Sequence, residues 1–282
     1  MKKYKILKTG PNRGRIKALR SFGDVKEGDI GGIVETEFNL SHDGDAWVYG
    51  NAEVWGNAKV YGNARVYDNA KVLGDAKVCG DSKVYEDARV SGDAEVSGNA
   101  EVSGNAKVCG RAEVCGEAWV CGNARLCGDA WVYGKAWVYG NARVYDNARV
   151  YDNARLYGEA WVYGNARLYG NARLCGNARL YGEARLYDNA RLCGNAKVYG
   201  NARLCGNAEV SGDAEARTTK DYLTIGPMGD NRFITITKSN GKVLAGCFRD
   251  TFDKFIEAID KKYKGEGDYY YFLDAIDKYL NK

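Results

Sequence analysis

The chain has 282 residues, with 36 Gly, 2 Pro, 21 Tyr, 9 Cys and one His. A single His removes most imidazole chemistry, and a net charge of +4 from 41 basic and 37 acidic residues is too mild to point to nucleic acid from totals alone. The basic start, Met1-Lys-Lys-Tyr-Lys-Ile-Leu-Lys-Thr-Gly10, lacks the apolar run of a signal peptide, and no stretch approaches the roughly 18 apolar residues of a membrane span. A cytoplasmic protein without membrane contacts is expected.

In chain order, residues 1–45 are predicted to form an N-terminal β cap, with strands near residues 4–7 and 15–22 and a glycine-rich turn. The first 20 residues carry eight Lys/Arg and no acid, which reads as a solvated edge that discourages strand pairing more than as a contact surface.

Residues 46–216 are predicted to be a solenoid. From Val48 to Glu215 the sequence repeats every six residues through 28 hexads without insertion or deletion. In the frame Val48-Tyr-Gly-Asn-Ala-Glu53 the first position is Val or Leu throughout, the fifth is Ala except at Ser82, and the third is Gly in 23 hexads. Asp68, Glu86, Asp146, Asp152 and Asp188 are the exceptions at the third position. Gly every six residues would cost a helix about 1 kcal/mol each time, so the unit reads as a short strand and a turn. In Ala142-Arg143-Val144-Tyr145, alternation sends Ala and Val inward and Arg and Tyr outward. The next two residues turn the corner, where Gly and Asn tolerate positive φ. Three such units predict a triangular coil of 18 residues, and coils stack at the roughly 4.8 Å strand spacing.

After Ala216 the composition changes, and residues 217–282 are predicted to form a small α+β domain. A hairpin is expected from residues 233–237 and 242–248 around Ser239-Asn-Gly241. Thr251 is the expected N-cap of a helix bearing Phe252, Phe255, Ile256, Ile259 and Tyr263 on one face, with Gly265 as its stop. A second helix is expected at about residues 269–280, with Phe272, Leu273, Ile276 and Leu280 on one side. Capping, dimerisation and partner binding are all open to this module. Gly226-Pro-Met-Gly229 ahead of Arg232 gives a weak signal for an anion-binding loop.

The hexad pattern resembles the hexapeptide-repeat, left-handed β-helix family over about three fifths of the chain. The flanks Ala18-Leu-Arg-Ser-Phe-Gly-Asp-Val25, Gly28-Asp-Ile-Gly-Gly-Ile-Val-Glu-Thr-Glu37 and Asn39-Leu-Ser-His-Asp-Gly-Asp-Ala-Trp-Val-Tyr49 look like the opening of such proteins encoded by bacteria, phages and prophages. Thr224-Ile-Gly-Pro-Met-Gly229, Ala245-Gly-Cys-Phe248 and the helix after them are similar to the small module that ends several of them. The resemblance implies an all-β solenoid, a left-handed parallel β-helix of about nine triangular coils, followed by a small C-terminal α+β domain. It brings no assigned activity.

Enzymes of this family are chiefly acyltransferases with a His general base, and its carbonic anhydrases bind their metal through three His. Here the repeats contain no His, and His42, ahead of the first regular coil, reads as a polar residue of the cap. Ice-binding solenoids display Thr ladders, and residues 47–215 contain no Thr. Most cysteines replace Tyr or Ser at one repeat position and read as reduced intracellular thiols. Only residues 18 apart stack, which pairs Cys109 with Cys127 and Cys175 with Cys193, too few ligands for a zinc site. No catalytic residue, metal or cofactor is expected.

Sorting outward residues by the 18-residue coil gives columns. Residues 45–124 hold 8 Lys/Arg against 12 Asp/Glu, whereas residues 125–205 hold 12 against 6. One column runs Trp131, Arg149, Arg167, Arg185 and Arg203, beside Tyr133, Tyr151, Tyr169, Tyr187 and Cys205. Another begins with Trp119 and Trp137 and continues as Arg155, Arg173 and Arg191. Tyr rings and Arg stems can simply cover thin walls, with Glu159, Glu183 and Asp188 neutralising part of the charge. The same composition is that of binding hot spots. Trp131, Arg149, Arg167, Arg185, Arg203, Tyr151, Tyr169, Tyr187, Trp119 and Trp137 are therefore the candidate binding residues.

A host protein with an acidic surface is the expected partner. Nucleic acid or an anionic nucleotide ranks second, because a 4.8 Å ladder matches phosphate spacing poorly. The leading expectation is a non-enzymatic, phage-encoded, homo-oligomeric binding protein that inhibits or sequesters a host macromolecule, with counter-defence as its purpose. The alternatives are an atypical acyltransferase using a carboxylate or thiol, a nucleic-acid-binding protein, and a structural spacer.

Overall fold

The computed structural model describes residues 2–10, 13–228, 232–245, 247–264, 270 and 272–281. The chain divides into two compact units, residues 1–158 and 159–282. Both are built on a parallel β-solenoid, and the second also carries the small α+β module.

Each hexad contributes a two-residue strand, such as Lys71–Val72 in the first unit and Arg179–Leu180 in the second. Strands pair in parallel with the strand 18 residues on, Lys71 with Arg89 and Arg179 with Lys197. Three hexads therefore make one coil, as the period predicts. Every repeat Ala, Val and Leu from Ala52 to Val210 is buried. Ser82, the one interruption, is buried too, and its hydroxyl donates to Cys79 O at 2.8 Å, so the polar group is satisfied.

The corners show why the third position prefers Gly. Gly104 has φ 68°, and the five acids that replace Gly adopt φ of 58–59°, a region that costs a residue with a side chain about 1–3 kcal/mol. The carboxylates of Asp68, Glu86 and Asp188 each gain a bond to the next coil in return. Asp68 Oδ2 accepts from Glu86 N–H at 3.2 Å, Glu86 Oε2 from Gly104 N–H at 2.5 Å, and Asp188 Oδ2 from Gly206 N–H at 3.1 Å. Asp188, expected to offset part of the guanidinium charge, has its carboxylate placed by this backbone bond and makes no contact ion pair among the described residues. Neither Glu159 nor Glu183 forms an ion pair among the described residues.

The first unit opens with antiparallel strands β1 (Tyr4–Gly10) and β2 (Arg13–Ala18), then β3 (Ile30–Val34), which leads into the parallel ladder at Glu53 and Val54. β2 is shorter than expected, because Phe22 bridges to Val25 around Gly23, which has φ 49°. β3 stands where a glycine-rich turn was expected. It lies so close to the coil that a Cβ on Gly31 would stand 2.4 Å from Val48 O.

Carbonyls of the first coil have no preceding coil to supply donors, and side chains do so instead. Lys3 Nζ donates to Gly44 O and Ala46 O (3.2 and 2.9 Å), Arg15 Nη1 to Gly31 O and Gly50 O (3.1 and 2.7 Å), and Asn39 Nδ2 to Gly56 O and Ala58 O (2.8 and 2.9 Å). Lys3 corrects the reading of the basic run as a wholly solvated edge. It is fully buried, its ammonium lies 4.9 Å from the Phe22 ring centroid, and burial lowers its pKa to about 8.

In the second unit the last coil has the converse problem, free N–H groups. Arg203 N–H donates to Thr219 Oγ1 at 3.3 Å, Glu209 N–H to Thr235 Oγ1 at 3.0 Å and Glu215 N–H to Ser239 Oγ at 2.7 Å. Tyr222 Oη donates back to Arg203 O.

Thr235 and Ser239 belong to the C-terminal module, a four-stranded antiparallel sheet of Tyr222–Met228, Arg232–Thr237, Lys242–Ala245 and Phe248–Thr251. Helices α1 (Phe252–Tyr263) and α2 (Leu273–Leu280) close a core of Ile234, Ile236, Val243, Phe255, Ile259 and Ile276. The expected hairpin is present, but Phe248 opens a further strand instead of ending the second. Gly226 to Met228 are strand and not an anion-binding loop, and Gly229 lies outside the described residues. α1 follows Thr251 as expected and ends at Lys264, at φ 52°. Gly265 and Tyr269 lie outside the described residues, and α2 begins at Leu273, later than the sequence suggested.

Candidate interaction surface

Alternation leaves two outward positions per hexad, one on the strand and one just after it, and stacking every 18 residues turns each into a ladder. In the first unit Trp119 and Trp137 stack at 5.2 Å, and the Arg155 guanidinium lies 5.4 Å from the Trp137 ring centroid. On a different sheet of that unit, Arg149 sits 5.1 Å from the Trp131 ring, and Tyr133 stacks on Tyr151 at 4.8 Å with 2° between planes. Trp119, Trp131 and Trp137 are 39–41% exposed.

In the second unit Arg167, Arg185 and Arg203 are direct strand neighbours. Tyr169 stacks on Tyr187 at 5.1 Å beside them, and Tyr163, Tyr181 and Tyr199 form a three-ring stack at 4.8 and 5.0 Å. Burial raises the pKa of Tyr163 and Tyr181. A hydrogen bond with Cys205 and then burial push Tyr187 up to about 12. The rings are thus half-buried wall, and Arg167 and Arg185 are half-buried beside them, with Arg203 exposed.

The ten residues singled out in the sequence do not form one patch. Trp131, Arg149 and Tyr151 share one face of the first unit, Trp119 and Trp137 another, and Arg167, Arg185, Arg203, Tyr169 and Tyr187 one face of the second.

Some ladder cations are paired and others are not: Arg65 bonds Asp24 at 3.2 Å and Arg111 bonds Asp129 at 2.7 Å. Lys71 is paired with Glu53 at 3.2 Å, Lys83 with Glu101 at 2.9 Å and Lys197 with Glu215 at 2.7 Å. Among the described residues Arg167, Arg185, Arg203, Arg173, Arg179 and Arg191 form no ion pair with a carboxylate. Like charges directly opposite on neighbouring strands are destabilising, so an unpaired three-arginine stack is a cost that the fold carries.

Two other expectations meet the structure here. Stacking of Cys109 on Cys127 and of Cys175 on Cys193 is as read, but both pairs are disulfides. This corrects the assignment of those four as reduced thiols: in-register stacking leaves their Cα atoms 4.7 Å apart, inside bonding reach. Cys79, Cys115, Cys121, Cys205 and Cys247 are free. His42 lies in the N-terminal segment, with Nδ1 accepting from Lys3 N–H at 3.2 Å and its ring stacked 4.5 Å from Tyr4. Burial lowers its pKa, so the imidazole stays neutral near pH 7.

Residues 58–75, 136–151, 142–158 and 148–164 match the YdcK beta solenoid repeat. No curated protein matches the chain.

Proposed function

We propose that this is a non-enzymatic binding protein whose arginine ladder takes an acidic protein surface as partner. The observation that carries the reading is the Arg167–Arg185–Arg203 stack, three guanidinium groups in direct register without a carboxylate among the described residues. Rigid strands fix their spacing, so no backbone ordering has to accompany binding. Arg forms bidentate bonds with carboxylates, and Tyr169 and Tyr187 beside it add flat apolar area. The resemblance of the flanks to phage and prophage proteins suggests a host protein as target and inhibition or sequestration as outcome.

Affinity capture from infected or lysogenic bacteria, followed by mass spectrometry, tests this. The wild type should retain a specific protein that Arg167→Glu/Arg185→Glu/Arg203→Glu loses. Identical captured sets would exclude the ladder as the site. Capture that nuclease treatment abolishes would favour nucleic acid.

A further inference from the structure

Phe38 is the most exposed large apolar side chain among the described residues, at 86%. Its backbone is nevertheless firmly held. It sits in a 3-10 turn, Glu37–Asn39, where Phe38 N–H donates to Thr36 Oγ1 at 3.3 Å. The next residue, Asn39, is fully buried; its Oδ1 accepts from Thr36 N–H at 2.7 Å while its Nδ2 is spent on the first coil. The backbone on both sides of the ring is therefore fixed, and the ring projects from it into solvent. Clefts of about 530 and 550 Å³ flank it, and Lys59 and Lys77 line both, a size that suits small molecules.

The two lysines are direct strand neighbours, and neither has an ion pair among the described residues. Acids line the same clefts: Glu37 is paired with Lys2 at 2.7 Å, Glu35 accepts from Gly56 N–H at 2.7 Å and Asp75 from Asn57 at 2.9 Å, and Glu95 is the strand neighbour of Lys77 on the side away from Lys59. The two stacked ammonium groups and the flat ring have no ion pair or ring contact among the described residues.

We propose that this corner of the first unit binds a nucleoside monophosphate, with the base against Phe38 and the phosphate between Lys59 and Lys77. A phosphate dianion matches two point charges in register, and an exposed aromatic ring is a stacking platform for any base. An acidic peptide would bring one charge per side chain and no obligatory flat ring. The site is independent of the arginine ladder.

Isothermal titration of the full chain with adenosine 5′-monophosphate, adenosine and inorganic phosphate tests it. The nucleotide should bind, with adenosine and phosphate each weaker by about tenfold or more. Phe38→Ala and Lys59→Gln/Lys77→Gln should each weaken the nucleotide by a similar factor, and all three side chains are exposed, so unchanged melting curves are expected. Arg185→Glu should leave it unaffected. Absence of nucleotide binding at millimolar concentration, binding indifferent to both variants, or tighter binding of a glutamate-rich peptide at Phe38 would each overturn the proposal.

Discussion

Thr235 illustrates how one hydroxyl can serve a whole repeat. It is 1% exposed, and its Oγ1 is the acceptor for the Glu209 N–H that the last coil leaves free. Thr235→Val keeps the shape and removes the acceptor, so the variant should lose about 1–3 kcal/mol in urea unfolding, with Thr235→Ser recovering most of it. Lys3 does the converse for carbonyls at the start. Its pKa of about 8 lies below the ordinary lysine value, so between pH 8 and 10 the unfolded chain holds a proton that the folded chain has released. Its contribution therefore grows as pH rises through that window. Urea titrations from pH 7 to 10 should show the stability gap between wild type and Lys3→Met widening with pH; a constant gap would mean that Lys3 titrates normally. Neither role was legible. Lys3 reads like Lys5 in sequence, and nothing in the hexads points to a threonine 26 residues after Glu209.

At the scale of the element, nearly everything about the coil was legible, because one apolar residue and one Ala per hexad leave no other register for burial. Strand pairing at 18 residues, the buried face and the turn position all follow from the period. Less legible was what the corner demands of its neighbours. A Cβ on Gly104 would meet Gly122 N and O at 2.8 Å, whereas one on Gly206 would meet nothing within 4 Å, although both have positive φ (68° and 62°). Gly206→Ala should therefore cost about 1 kcal/mol from φ alone. Gly104→Ala should cost about 1–3 kcal/mol more, because backbone of the next coil has to move. Thermal or urea unfolding of the pair compares them directly, and equal losses would show that the coils yield easily.

For the whole molecule, the reading of composition was partly right and partly corrected. Stacking of like residues every 18 positions was legible, and so was the concentration of arginine in the later hexads. That two stacked cysteine pairs are bonded was not, since spacing shows proximity and not oxidation state. Alkylation of the denatured protein without reductant should label the five free cysteines and spare the four in bridges. Nine labels by intact mass would mean that the bridges do not form.

The candidate surface was legible as columns, but which ladder cations find a carboxylate was not, because it depends on where the corner and strand carboxylates are held. Asp188 is such a case. Arg167, Arg185 and Arg203 then stand without a carboxylate ion pair among the described residues, unlike Arg249, which pairs with Glu209 at 2.7 Å. The measurement that tests this most directly is the stability of Arg185→Gln against wild type by urea unfolding at about 20 mM and about 500 mM salt. If the ladder serves binding, the variant is at least as stable as wild type at low salt, and added salt stabilises wild type more than the variant. A loss above about 1 kcal/mol at both salt concentrations would contradict the account and make Arg185 part of the wall.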